Sequence, residues 1–204
     1  DYLDPLNRRY HAQPTACAAC GPHLSNSIEE NVERIQAGEI VAVKGMGGYQ
    51  LICDARNEEA VTKLRQRKHR DAKPFAIMVA NAESIQTIAN CDNASLKLIQ
   101  SWERPIVLLP KKDEPLASTI ANGLSTFGVL LPYTPIHYLI FHGLIGFPKS
   151  NGWLDQKQET VLVVTSANIS GEPLITDDEE AKESLKNIAD LIVSYNRKIV
   201  ARAD

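Results

Sequence analysis

Two stretches of the chain gather side chains able to hold an anion. The first is Thr165-Ser166-Ala167-Asn168-Ile169-Ser170-Gly171, which follows the apolar run Val161-Leu162-Val163-Val164. Small polar side chains and a glycine behind a buried strand turn the chain by bonding nearby backbone. They equally suit a polar ligand at the carboxyl end of a sheet strand. The second stretch is KLRQRKHRDAKPF, in which six of the chain's 22 Lys and Arg residues fall between positions 63 and 73. A solvated helix end with cations complementing the helix dipole would explain it. Lys68 and Arg70, however, stand where the chain turns toward Pro74, and there both can converge on one polyphosphate. The loop Lys44-Gly45-Met46-Gly47-Gly48-Tyr49-Gln50 is either a tight hairpin or a backbone cradle for an anion. It matches neither a Walker loop nor a dinucleotide fingerprint.

Cys17 and Cys20 form a C-x-x-C pair followed by Gly21-Pro22, the spacing of a knuckle that fills two corners of a tetrahedral zinc site. His11 and His23 are candidate partners. Structural zinc needs four ligands, so the pair is expected to be unfilled or loosely held in this chain. A redox role lacks the surrounding βαβ pattern. His137 and His142 lie in an apolar helical stretch and read as packed histidines. No paired carboxylates and no Ser-His-Asp order stand out.

These groups need a scaffold, and the pattern supplies one. Residues 1–24 are rich in Pro and Cys and show no amphipathic period; regular structure begins at Ser27. Ser27-Ile28-Glu29-Glu30 is a capping box, with Ile28, Val32 and Ile35 at helical spacing and Gly38 as a stop. Strands are expected at Ile40–Val43, Leu51–Cys53, Phe75–Val79, Ile106–Leu109, Val129–Leu131, Val161–Val164 and Leu191–Val193. Asn57 caps a helix reaching about His69, and further helices begin at Asn81, Asn93 and Asp177. The apolar stretch 128–148 contains Pro132, Pro135, His137 and His142 and reads as strand, turn and buried helix, not as a membrane span. The expected fold class is α/β (α+β), a twisted mixed sheet flanked by helices.

The 204 residues carry 22 basic and 25 acidic side chains, a net charge of −3 that offers no general attraction for nucleic acid or an anionic membrane. No secretory leader opens the chain, and Cys53 and Cys91 read as reduced thiols, so a cytoplasmic location is expected.

Taken in order, the motifs resemble the YrdC-like family of carbamoyl- and threonylcarbamoyl-adenylate synthases. They are Tyr49-x-Leu51 after the glycine loop, Lys68-x-Arg70 before Pro74, Gly128-Val129-x-x-Pro132, and Ser166-Ala167-Asn168-x-Ser170-Gly171. NRRYHAQPTACAACGP, KGMGGYQL, LRQRKHRDAKPFAIMV and GVLLPYTPIHYLI are similar to the YrdC-like domain of the HypF family of carbamoyltransferases, and the likeness covers most of the chain.

The resemblance implies a YrdC-like domain over 25–204, preceded by the last part of a zinc-finger region over 1–24. It implies formation of carbamoyl-AMP and pyrophosphate from ATP, with Mg, and carbamate derived from carbamoyl phosphate, in the synthesis of NiFe-hydrogenase cyanide ligands. Lys68 and Arg70 would be catalytic. Thr165, Ser166, Asn168, Ser170, Arg67 and Arg197 would bind the nucleotide, and Lys44 and Tyr49 the carbamoyl group. Cys17 and Cys20 would bind zinc once the missing half of the finger is supplied. Implied partners are the flanking acylphosphatase and transfer domains and HypE; no membrane is implied.

Two positions depart from the pattern. Tyr195 stands where His often precedes Asn-Arg, which puts a role there in doubt. Leu131 replaces an arginine usual in free-standing threonylcarbamoyl-AMP synthases and favours the HypF branch. Those synthases, acting in tRNA modification, are the rival reading. A module binding double-stranded RNA is another, and the net charge argues against it.

Overall fold

The computed structural model describes residues 3–7, 10, 21–113, 116–168 and 172–203. Its centre is one sheet made of β1 (Val41–Lys44), β2 (Tyr49–Asp54), β3 (Ala76–Val79), β4 (Val107–Pro110), β5 (Thr126–Leu130), β6 (Val161–Ser166) and β7 (Leu191–Val193). The spatial order is β4-β5-β3-β6-β2-β1-β7. The β1–β7 and β3–β5 pairs are parallel and the others antiparallel, giving the expected mixed sheet. β6 and β2 lie side by side, with Gln50 opposite Ser166 and Leu51 opposite Thr165.

Helices cover both faces. α1 (Ile28–Gln36) and α4 (Pro135–Leu144) lie on one face. There Ile35, Ile140 and Phe141 pack with Val41, Val43, Ile52, Met78, Leu162 and Val164. α2 (Glu58–Arg67), α3 (Asn93–Ile99) and α5 (Asp178–Leu185) lie on the other. Leu64, Ile99 and Leu185 meet Ala42, Leu51, Cys53, Ile77, Val129 and Val163 there. The alternation of side chains along each strand explains how neighbouring residues feed two separate cores.

Local chemistry sets the helix starts. Ser27 Oγ accepts from Glu30 N at 3.1 Å, Asn57 Oδ1 from Ala60 N at 3.0 Å, and Asp177 Oδ1 from Glu180 N at 3.0 Å. The Glu30 carboxylate accepts from Asn26 Nδ2 at 2.9 Å. α3 begins at Asn93 as expected, with Asp92 as its cap, Oδ1 accepting from Ser95 N at 2.7 Å. One expected start differs. Asn81 opens only a short 3₁₀ segment, Glu83–Thr87, because its Oδ1 ties both the amide and hydroxyl of Ser84 into a tight turn. No helix among the described residues is long and apolar enough to cross a membrane.

Residues 21–25 dock on the chain following β7. Ser25 N donates to Ser194 O at 2.8 Å, His23 N to Asn196 Oδ1 at 2.9 Å, and Asn196 Nδ2 to Gly21 O at 3.1 Å. His11, Cys17 and Cys20 lie outside the described residues.

Candidate active site

The basic cluster is split by the way α2 ends. His69 N bonds Gln66 O and Arg70 N bonds Arg65 O, the paired bonds of a left-handed helix stop. His69 takes the position usually given to glycine, at φ 50°. The turn sends Lys68 and Arg70 in different directions.

Lys68 points inward and is 2% exposed. Its Nζ donates to Ser166 O and Asn168 O, both at 2.6 Å, and lies 3.2 Å from Asn168 Oδ1. The ammonium therefore holds the polar turn after β6 from behind. Arg70 lies at the front, its Nη1 3.3 Å from Thr165 Oγ1 and its guanidinium 4.9 Å from the centre of the Phe75 ring. Burial, with Arg65 nearby, lowers the pKa of Arg70 from its ordinary value.

Arg70, Thr165 and Ser166 line a cleft of about 600 Å³. Its floor is sheet. Ala76, Leu108, Gly128, Leu130 and Val164 line it, and Ile106 and Leu108 are 57% and 70% exposed. A Cβ at Gly128 would stand 3.0 Å from Ile106 Cγ2, so the glycine keeps the floor low. The rim is polar: Arg70, Lys73, Thr165, Ser166 and the Gly45–Gly48 loop. Gly47 and Gly48 admit close neighbours. A Cβ at Gly47 would come within 2.1 Å of Ala203 O, and one at Gly48 within 2.2 Å of Leu174 Cγ. Apolar sheet beside cations, hydroxyls and glycine backbone suits a ligand with one flat apolar part and one polyanionic part.

The other candidate residues are placed as follows. Asn168 Oδ1 accepts from Ser166 Oγ at 2.7 Å, and Ser170 lies outside the described residues. Lys44 and Tyr49 are buried behind the glycine loop and share Asp178: Lys44 Nζ is 2.5 Å from Asp178 Oδ1, and Tyr49 OH donates to the same atom at 2.7 Å. Burial, reinforced by Asp178, pushes the Tyr49 phenol well up. Burial alone would raise the Asp178 pKa, but the hydrogen bonds from Lys44 and Tyr49 hold it below the usual carboxylate range.

Arg67 is turned away from the cleft. It pairs with Asp190 at 2.8 Å and donates to Ile188 O at 3.0 Å, tying α2 to the start of β7. Arg197 is exposed and donates to the Asn196 carbonyl at 3.0 Å. Neither lines the cleft. Tyr195 supports the glycine loop, its OH 3.3 Å from Gly45 O.

One polar group was not singled out by sequence reasoning. Gln50 and Tyr133 line the cleft, Gln50 Nε2 donates to Tyr133 OH, and Gln50 Oε1 meets His137 Nε2 at 2.8 Å. His137 had read as a packed histidine, and it is indeed 1% exposed; its partner is 87 residues away in the chain. The signal available in the sequence was a lone polar Gln50 on β2 between apolar neighbours.

Among the described residues no three His, Cys, Asp or Glu side chains gather to hold a metal.

Comparison with known proteins decides the family. The Sua5/YciO/YrdC model, described as telomere recombination, matches residues 33–204. The chain belongs to the Sua5/YciO/YrdC family. Residues 1–26 match the HypF finger model. Over 179 residues the chain is 48% identical to carbamoyltransferase HypF2 of Cupriavidus necator, covering 87% of this chain and 22% of that protein. It is 31% identical to the threonylcarbamoyl-AMP synthase of Pseudoalteromonas atlantica over 76% of this chain and 79% of that enzyme. A crystal structure of full-length HypF in the phosphate- and nucleotide-bound form superimposes with a TM-score of 0.86 at 43% identity, covering all of this chain and 26% of that one.

The chain thus spans about a quarter of the length of its HypF relatives. The higher identity to HypF agrees with the reading of Leu131, which is 3% exposed within the core of this Sua5/YciO/YrdC domain.

Proposed function

We propose that the cleft adenylates carbamate: ATP and carbamate, the latter derived from carbamoyl phosphate, give carbamoyl-AMP and pyrophosphate. The observation that carries this reading is the pairing of an apolar floor at Leu108, Gly128 and Leu130 with a rim of Arg70, Lys73, Thr165 and Ser166. The nucleoside lies on the floor. Its phosphates lie along the rim, where Arg70 neutralises charge and the hydroxyls and backbone amides donate. The likeness to proteins named carbamoyltransferase HypF, and to a HypF structure described as nucleotide-bound, supports it.

In this scheme a carbamate oxygen attacks the α-phosphorus, a new P–O bond forms, and the α–β bridging P–O bond breaks with its electron pair leaving on pyrophosphate. No protein nucleophile takes part, so catalysis is positioning and electrostatic stabilisation. Lys68 serves by fixing the turn that presents Ser166 and Asn168. Mg bound with ATP would neutralise phosphate charge alongside Arg70. In the longer protein an acylphosphatase domain supplies carbamate and a transfer domain passes the carbamoyl group on to HypE; Cys17 and Cys20 bind zinc when the rest of the finger is present.

Isotope exchange between pyrophosphate and ATP tests the reading. Exchange that depends on ammonium carbamate is expected. Exchange driven by L-threonine with bicarbonate, and absent with carbamate, would transfer the chain to the threonylcarbamoyl-AMP reading.

A further inference from the structure

One end of the cleft holds a charged pair that the adenylation chemistry leaves unused. Glu103 and Arg104 are consecutive in the chain, and both line the cleft. Arg70 spends its guanidinium on Lys73 O, Pro74 O and Thr165 Oγ1. The side chains of Glu103 and Arg104, by contrast, have no hydrogen-bond or ion-pair partner, not even each other. A carboxylate and a guanidinium thus face the cleft with their polar atoms uncommitted.

The backbone sets this pair in place against two local preferences. Arg104 N donates to Ser101 O at 3.1 Å, closing a turn. Arg104 then takes φ 49°, a left-handed conformation that residues with a side chain seldom adopt. Pro105 follows, and the residue before a proline is ordinarily extended. Strain of this kind gathers at ligand sites.

The sheet gives the pair its address. Residues 103–105 lead into β4, which β5 and β3 separate from β6. Three strand spacings set β4 roughly 14 Å from β6. Leu108, Gly128 and Ala76 form one apolar row across β4, β5 and β3. A nucleotide whose phosphates lie by Thr165 and Ser166 on β6 therefore brings the far edge of its base toward Glu103 and Arg104. A carboxylate repels phosphate, so Glu103 belongs with the part of the ligand that offers neutral donors.

We propose that Glu103 and Arg104 read the base and select adenine. The Glu103 carboxylate accepts from the exocyclic N6–H, and the Arg104 guanidinium donates to the ring nitrogen N1. A carboxylate can only accept and a guanidinium can only donate. A 6-oxopurine in the same pose inverts both contacts, setting an oxygen against the carboxylate and an N–H against the guanidinium. The proposal rests on the placement of the nucleotide in the adenylation reading.

The test is calorimetry on the full chain with MgATP and with MgITP, whose base carries an oxygen at C6 and a proton on N1. The parent should bind ATP about thirtyfold more tightly than ITP. Glu103→Gln supplies an amide that can accept from N6–H or donate to O6, and should cut that ratio to about threefold. The ratio is the readout, because loss of a carboxylate favours any polyanion. Arg104→Gly suits φ 49° and should keep or raise Tm while the ATP Kd rises about tenfold, a split that a structural role would not produce.

Equal ATP and ITP Kd values in the parent overturn the reading of the base by either side chain. A ratio that Glu103→Gln leaves unchanged overturns the role of Glu103, and an unchanged ATP Kd in Arg104→Gly overturns that of Arg104. A parent that binds neither nucleotide refutes the nucleotide cleft and this inference with it. A parent that selects ATP yet shows no carbamate-dependent exchange refutes adenylation alone and upholds the reading of the base.

Discussion

Replacing Lys68 with methionine separates a side chain that supports the site from one that touches its ligand. The substitution keeps the apolar stem and removes the ammonium, so Ser166 O, Asn168 O and Asn168 Oδ1 all lose a donor. A charge-assisted hydrogen bond contributes about 1.5–3 kcal/mol. Two short bonds would total about 5 kcal/mol by that measure, but the variant also escapes the burial of a charge that is only 2% exposed, a penalty of several kcal/mol. The net expected loss is about 2 kcal/mol, which for a domain of this size lowers Tm by roughly 4–8 °C. Thermal and urea unfolding without ligand measure it, with the exposed Lys186→Met as control. In a double-mutant cycle, Asn168→Ala should cost at least ~0.5 kcal/mol less in the Lys68→Met background than in the parent. A Lys68→Met protein that melts within about 1 °C of the parent and loses only ATP affinity would refute this reasoning and place the ammonium on the phosphates.

Three further outcomes are expected. His69→Gly relieves a left-handed conformation that glycine adopts without strain, and despite the added freedom of the unfolded chain should stabilise the protein by roughly 0.5–1 kcal/mol in urea unfolding. Gly128→Val raises the cleft floor against the exposed Ile106, so the ATP Kd should rise about tenfold in calorimetry while Tm changes little. His137 is held to a pKa of about 4 by burial, against about 6.5 in an unfolded chain. Between these values the unfolded state binds the extra proton, so stability is full above about pH 6.5 and falls as pH drops toward 4, by about 3 kcal/mol at most. Urea titrations across that window should show the slope in the parent and a clearly smaller one in His137→Gln.

The elements were legible wherever local chemistry decides them. Ser27, Asn57 and Asp177 cap helices where the sequence places caps, and the seven strand positions match the apolar runs to within a few residues. Arg70, Thr165 and Ser166, which line the cleft, could be singled out because polar residues at a strand end and a cation beside a helix stop are local patterns. Lys68 was legible as important but not in its direction: residue type says surface cation, and only the left-handed stop at His69 shows that it points inward. Arg67 could not be told from Arg70 by spacing alone, since its partner Asp190 lies more than a hundred residues away. The Gln50–His137 contact was hidden for the same reason. The apolar floor depends on which strands lie side by side, a property of sheet order that no window of sequence contains.

That sheet order bears on how the chain is made. β6 enters between β3 and β2, which were synthesised long before it, and the polar turn that Lys68 grips follows directly on β6. Until residue 168 has left the ribosome, neither the sheet nor the cleft can close, and the apolar edges of β2 and β3 stay exposed to one another and to solvent. Contacts of such long sequence separation form slowly. Nucleotide binding should therefore emerge only with the final, cooperative phase of refolding, and recovery of ATP affinity after dilution from urea would time the insertion of one strand.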